Sequence, residues 1–222
     1  MTTSLLLSLK LATVTTLILL PVSLFLCTWL YGRLSSLKRL ALALFALPLV
    51  LPPTVLGFYL LIFMSPDGYL GKFSLLFGLD SLVFTFPGLV IGSVIYSLPF
   101  VLQPIYNSLS LIDKGYYETS LILGKSKLTT FFKILVPMAR NGVITGAILG
   151  FLHTVGEFGV ILMIGGNIPN VTNVASVHLY DLVEGLNYSQ AHTLSFILVF
   201  SSVVLLYLVY TLSRPSWVNN ND

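Results

Sequence analysis

The chain has 222 residues, 56% hydrophobic and only 9% charged, with a net charge of +3 and a mean hydropathy of +0.95. A soluble domain carries roughly 25% charged residues, so this composition excludes water as the main solvent and implies an integral membrane protein. The apolar runs are continuous rather than alternating, which selects helices over a barrel, and the small basic excess points to lipid topology rather than to nucleic acid.

A helical span needs roughly 20 apolar residues to cross about 30 Å of hydrocarbon. Leu11–Leu30 supplies the first, without a charge. It reads as a retained span rather than a leader, because Met1–Ser8 has no positive charge among its side chains and no small-residue cleavage pattern follows. Leu40–Met64 is the second, interrupted by Pro48, Pro52 and Pro53; Ser81–Ile112 is the third, with Pro87, Pro99 and Pro104. Asn141–Ile164 is the fourth, with Glu157 as its only charge, and Ser189–Ser213 is the fifth. Gly165–Gln190 is too polar to cross alone. Within it, residues 174–186 predict a short sixth helix that either lies against the outer end of the bundle or re-enters it. The predicted fold is therefore an all-α bundle of about five transmembrane helices in one domain, 5–213, followed by a short polar tail, 214–222.

Lys and Arg in the short connections set the orientation. The first connection holds Arg33, Lys38 and Arg39, the third holds Lys114, Lys125, Lys127, Lys133 and Arg140, and Arg214 follows the last span. The second has only Lys72 beside Asp67 and Asp80, and the fourth has neither Lys nor Arg; Lys10 is the exception to the pattern. The bias predicts an outer N-terminus, a cytoplasmic C-terminus and a cytoplasmic Asp113–Arg140.

Prolines remove backbone donors and disfavour helix at the preceding residue. In lipid, such breaks survive where protein or a water-filled cavity satisfies the freed carbonyls. Pro52, Pro53 and Thr54 thus mark either a pathway-lining hinge or a kinked packing helix.

The longest polar interruption, Asp113–Pro137, divides at Gly124. Asp113 can cap a first helix whose face carries Tyr117, Ser120 and Leu121, and Gly124 ends it. Ser126 can cap a second, with Leu128, Phe131, Phe132 and Leu135 at i, i+3, i+4 and i+7, as in a helix lying on the membrane surface. Pro137 suits the start of the next span. Physics alone leaves this hairpin either a surface loop or a docking element.

The spacing Glu118-Thr119-Ser120, three residues, Gly124, nine residues, Ile134-Leu135-Val136-Pro137 resembles the coupling motif of permease subunits of ATP-binding-cassette importers, usually E-A-A, three residues, G, nine residues, I-x-L-P. Thr119 and Ser120 stand for the two alanines and Val136 for the leucine. Leu49–Leu61, Pro66–Gly71, Phe84–Phe100 and Gly156–Thr172 are similar, in order, to segments of the molybdate permease branch. The resemblance covers Leu5 to Ser213. It implies the type I importer transmembrane fold and a homodimer carrying molybdate or tungstate. It also implies two ATP-binding subunits on the cytoplasmic side and an oxyanion-binding protein outside. Glu118, Thr119, Ser120, Gly124, Ile134 and Pro137 would then seat a short helix in a cleft of the ATPase. No G-x-x-x-x-G-K-[ST] run is present, so no cofactor is expected in this chain, and ATP would belong to the partner.

Glu157 is the one carboxylate inside a predicted span and therefore a candidate for function. It would repel an oxyanion if ionised, which favours a structural role over a gate. His153 lies one turn earlier and could pair with it. His178 and His192 have no third ligand nearby, so no metal site is expected. Asn167, Asn170 and Asn173 mark a turn-rich outer loop, either a contact for a binding protein or a plain loop. Thr54, Ser93, Ser97, Gln103 and Asn107 are candidate pathway linings, because a conducting path must hold its ion weakly. A sulfate permease is the alternative within the same class. A self-contained secondary transporter or channel would show internal repeats, and a membrane enzyme would show clustered His or acidic residues; neither pattern is visible, and no catalytic residue is expected.

Overall fold

The computed structural model describes residues 1–32, 35–76, 78 and 81–212. The topological charges Arg33 and Arg214, the acid Asp80, Ser213 and the tail 214–222 lie outside the described residues.

Helix α1 (Thr2–Leu30) begins well before the predicted Leu11. Its first turns are polar on one side, and that side is used: the Ser8 hydroxyl accepts from Ala175 N at 2.7 Å, and Ser4 donates to Asn173 Oδ1 at 2.7 Å. Lys10 lies over the Phe86 ring, 4.6 Å from its centroid, so this basic residue near the N-terminus has an aromatic partner.

The second predicted span is two helices. Helix α2 (Ser36–Ala46), capped by Ser35, runs through a 3-10 turn at Leu47–Leu49 into α3 (Pro53–Met64), with a bend of 108°. Pro48 and Pro53 occupy first-turn positions, where a missing N–H costs nothing. The short α4 (Tyr69–Leu76) follows.

The prolines of the third span do not break it. Helix α5 (Phe86–Ser110) starts with Thr85 as cap and Pro87 in its first turn, and carries Pro99 and Pro104 in its interior. It packs between α1 and α9 (Arg140–Gly156), and these three helices form the centre of the molecule. On α9, Gly142, Gly146 and Gly150 recur every four residues against α5. A Cβ at Gly142 would sit 2.6 Å from Pro104 O, and one at Gly146 2.7 Å from Val101 O. With little hydrophobic force between helices in lipid, such close approach is what holds them together.

The fourth predicted span, Asn141–Ile164, is corrected. Helix α9 stops at Gly156, and α10 (Gly159–Gly165) starts after a break at Glu157 and Phe158. Glu157 has extended backbone, φ −67° and ψ 126°, so it stands in a break between two helices instead of lying mid-helix. The segment α10 packs against α3 and α5.

Helix α11 (Ala175–Glu184) realises the predicted short sixth helix. At 1.5 Å per residue its ten residues span about 15 Å, half a bilayer core, and it packs against α12 (Tyr188–Leu212), α1 and α9. Among the described residues, α1, α5 and α12 are long and apolar enough to cross a membrane alone. The number rises to five if α2 with α3, and Lys127–Met138 with α9 across a 78° bend, each count as one.

The buried side chains form one cluster around Met64, Leu89, Ile161 and Ile164 at one end of the bundle and another around Leu19, Leu102, Ile105, Leu109 and Leu135 toward the other. A small third cluster joins α11 to α12 through Leu182 and Leu194.

Candidate functional site

The Asp113–Pro137 stretch folds as a hairpin. Asp113 Oδ1 accepts from Gly115 N at 2.6 Å and starts α6 (Lys114–Ile122). Gly124 ends it at φ +78°, a left-handed value, with Lys125 N returning to Ser120 O at 3.1 Å. Ser126 caps α7 (Lys127–Thr130) by accepting from Thr129 N at 3.1 Å. A π-helical turn, Phe131–Leu135, and the short α8 (Val136–Met138) then lead into α9.

Within the predicted row, Phe131 and Leu135 are buried against the bundle, whereas Leu128 and Phe132 are exposed, so the row occupies two neighbouring faces. The predicted first-helix face holds: Ser120 is buried, and Tyr117 and Leu121 are half-buried. Of the six motif residues, Glu118, Thr119, Gly124 and Pro137 are exposed, Ile134 is half-buried and Ser120 is buried. Thr119, Ser120 and Ile134 share a groove of about 750 Å³ with Tyr116, Leu123 and Lys125. Ile122 and Leu123 stand 84% and 73% exposed beside it, an unusual apolar tip for a polar connection.

Two residues outside the motif fix the hairpin. The Ser120 hydroxyl lies 2.9 Å from the Thr130 hydroxyl, joining α6 to α7. Tyr31, just past α1, meets Tyr117 and Phe131 edge-on, with centroids at 5.2 and 6.4 Å. Burial first, and then Tyr117, Asp113 and Glu118, hold its phenol above the ordinary value. Lys38 Nζ donates to the Tyr31 carbonyl at 3.2 Å, tying α2 to the same point. Neither Tyr31 nor Thr130 has a signal in the sequence, since each depends on a contact between separate segments.

The second constellation lies between α5 and α9. Ser93 donates to Glu157 Oε2 at 2.8 Å; one turn on, the Ser97 hydroxyl lies 2.8 Å from His153 Nδ1 and 3.0 Å from Thr154 Oγ1. The expected His153–Glu157 pair is therefore not made. Helix α9 ends between them, and each takes a different serine of α5. The His153 ring stacks on Phe100, with centroids 3.8 Å apart, and meets Tyr96 at 4.7 Å. Ser176 of α11 donates to the Glu157 carbonyl at 2.5 Å. The break at Glu157 is thus held from two sides, while Glu157 Oε1 is buried without a hydrogen-bond partner.

Ser93 and Ser97 are completely buried and stand behind a hollow between α3, α5 and α9 instead of lining it. Its lining near the break is Pro53, Thr54, Tyr96, His153 and Glu157, in a space of about 500 Å³. A second space of about 390 Å³ is lined by Phe100, Gln103, Pro104 and Asn107 of α5 with Leu49 and Leu149. Pro53, Thr54, Gln103, Asn107 and Glu157 thus line one or other hollow on the α5–α9 side, neither lined by a Lys or Arg, and Pro52 lies exposed at the cap of α3.

In the loop between α10 and α11, Asn167 and Asn173 both donate to Asp181, at 2.8 and 3.0 Å, and Thr172 is buried with its hydroxyl on Gly165 O. Asn167 and Asn170 have left-handed backbone, φ 58° and 64°. Two of the three asparagines thus fasten the loop, and Ile168, Asn170 and Val171 form its exposed tip. Among the described residues no three His, Cys, Asp or Glu side chains cluster as a metal site.

Residues 19–214 match the family of binding-protein-dependent transport system inner membrane components. The molybdenum transport system permease protein ModB of Azotobacter vinelandii is 50% identical over 208 residues, covering 94% of this chain and 92% of that protein. The ModB protein of Haemophilus influenzae is 34% identical over 90% of this chain and 88% of its own. The sulfate transport system permease protein CysT of Salmonella typhimurium is 30% identical, covering 84% of this chain and 68% of that one. Among solved structures, a bacterial alginate transporter of the ATP-binding-cassette type, in complex with a pentasaccharide-bound periplasmic protein, aligns with a TM-score of 0.73 at 18% identity. That alignment covers 95% of this chain and 76% of the other.

Proposed function

Because the chain belongs to the family of binding-protein-dependent transport system inner membrane components, we propose that it forms the membrane pathway for molybdate, or the like-shaped tungstate, in an ATP-binding-cassette importer. The observation that carries the substrate is the 50% identity to the Azotobacter vinelandii ModB protein over nearly the full length of both chains. The sulfate permeases are more distant, at about 30%, and sulfate is the second reading.

On this proposal the chain performs no chemistry of its own and works as a homodimer with two ATP-binding subunits below and an oxyanion-binding protein above. The N-terminus lies outside and the C-terminus in the cytoplasm, as the Lys and Arg pattern predicts. Two features support the division of labour. The hairpin 113–137 presents Glu118, Thr119 and Gly124 on its surface beside the apolar Ile122 and Leu123, the surface a helix needs to seat in a partner's cleft. The α5–α9 side carries hydroxyl, amide and aromatic groups with Glu157 and no Lys or Arg, so a second copy closing over it would enclose a path that holds an oxyanion weakly. ATP-driven movement of the two hairpins would then turn the bundle between inward and outward access, with Pro52, Pro53 and the Glu157 break at the bends.

Reconstitution with the ATPase and the binding protein tests the substrate. Molybdate is expected to stimulate ATP hydrolysis more than sulfate at equal occupancy of the binding protein. Stimulation by sulfate with none by molybdate would overturn the assignment.

A further inference from the structure

Helices α3 and α4 enclose a groove of about 630 Å³ at the end of the bundle opposite the hairpin, lined by Leu56, Tyr59, Phe63, Asp67, Tyr69 and Lys72 among others. Its body is apolar and aromatic, with Phe63 and Tyr69 rings 6.2 Å apart. Its polar elements include one carboxylate and one ammonium, both exposed, which make no ion pair with each other among the described residues. The elbow that positions them is tightly packed. A Cβ at Gly68 would meet Ile62 O at 2.2 Å, and one at Gly71 would meet Ser65 O at 1.8 Å, so only glycine permits α4 to fold back this closely.

We propose that this groove binds a zwitterionic phospholipid with a primary-amine headgroup. Lys72 takes the phosphate, Asp67 takes the ammonium, and an acyl chain lies along Leu56, Tyr59 and Phe63. An apolar body with tyrosines near a charged rim is the chemistry of the membrane–water interface. A protein cation and anion at one rim complement a headgroup carrying both charges better than a purely anionic one. A second copy of the chain is the competing occupant. At about 100° per residue, Leu56, Tyr59 and Phe63 lie roughly 140° to 200° around α3 from Thr54, which faces the hollow that the proposed dimer would close. The groove is therefore turned away from that contact and toward lipid.

Native mass spectrometry of the full chain with its co-purifying subunits tests this, using phosphatidylethanolamine, phosphatidylcholine and phosphatidylglycerol of matched chains. Phosphatidylethanolamine is expected to be retained in preference to phosphatidylglycerol. Asp67→Asn should remove that preference, and Lys72→Gln should lower retention of all three by roughly two- to fivefold, the worth of one exposed charge pair. Both side chains are exposed, so neither change disturbs packing. Equal retention of the three lipids, or no response to either variant, overturns the proposal. So does efficient disulfide cross-linking of two copies through Tyr59→Cys, which would place the second chain in the groove.

Discussion

The Ser120 and Thr130 hydroxyls face each other at 2.9 Å, both buried, where α6 folds against α7. Ser120 stands where related coupling motifs carry alanine, so the departure from the pattern joins the hairpin's two helices. Ser120→Ala leaves the Thr130 hydroxyl buried without this partner, at a cost of about 1–2 kcal/mol. The thermal midpoint of the detergent-solubilised chain should fall accordingly. Adding Thr130→Val removes the orphaned group and should recover most of the loss. A double variant no more stable than Ser120→Ala alone would mean that the bond is incidental.

Gly124 has open space where a Cβ would stand, but φ is +78°. Gly124→Ala should therefore cost only the backbone penalty of roughly 1–2 kcal/mol for a side chain in that region and leave ATPase association measurable. Gly124→Pro cannot adopt the angle at all, and Glu118→Lys reverses a charge on the exposed face. Both should abolish co-purification of the ATP-binding subunit while the chain still inserts in the membrane. Retention of the ATPase by Glu118→Lys would remove the hairpin from the coupling role.

Glu157 is bound to Ser93 by one oxygen and to Ser176 through its carbonyl. Glutamine keeps an acceptor for Ser93 at nearly the same volume, so Glu157→Gln should preserve assembly and transport. Glu157→Leu removes the acceptor and leaves the buried Ser93 hydroxyl unsatisfied, at about 1–3 kcal/mol, and should lower the yield of folded protein. Transport lost in Glu157→Gln with normal expression and assembly would falsify the structural role and make the carboxylate a gate.

What was legible in the sequence follows from range. Long uncharged runs gave α1, α5 and α12, and the cap residues Asp113, Gly124 and Ser126 divided the hairpin correctly, because these signals act within one turn. The break at Glu157 was not legible: an apolar run with glycines on either side reads as continuous helix, and Ser93 and Ser176, which hold the break open, come from distant segments. The same reason defeats the His153–Glu157 pairing, which assumed a helical register that ends at Gly156. The π turn at Phe131–Leu135 likewise left no mark in the local pattern, and neither did the division of the row into buried Phe131 and Leu135 and exposed Leu128 and Phe132. Of the candidate pathway residues, Thr54, Gln103 and Glu157 line the hollows, whereas Ser93 and Ser97 are buried behind them.

The contact between α5 and α9 offers the severest test of the bundle. Gly146 faces the Val101 carbonyl so closely that even a methyl group would stand 2.7 Å from it and 3.4 Å from Ile105 Cγ1. Backbone cannot move aside as a side chain can, so Gly146→Val must push α9 off α5. That displacement would also separate Ser97 of α5 from His153 of α9, and Ser93 of α5 from Glu157 in the break just past α9. The variant should lose monodisperse protein on size exclusion, because overpacking of this kind costs typically 1–3 kcal/mol or more and the polar bonds fail with it. Gly156→Ala, at a position with nothing within 4 Å of the added carbon, serves as the control and should behave as the parent chain. A folded, transport-active Gly146→Val chain would show that α5 and α9 do not pack as closely as described.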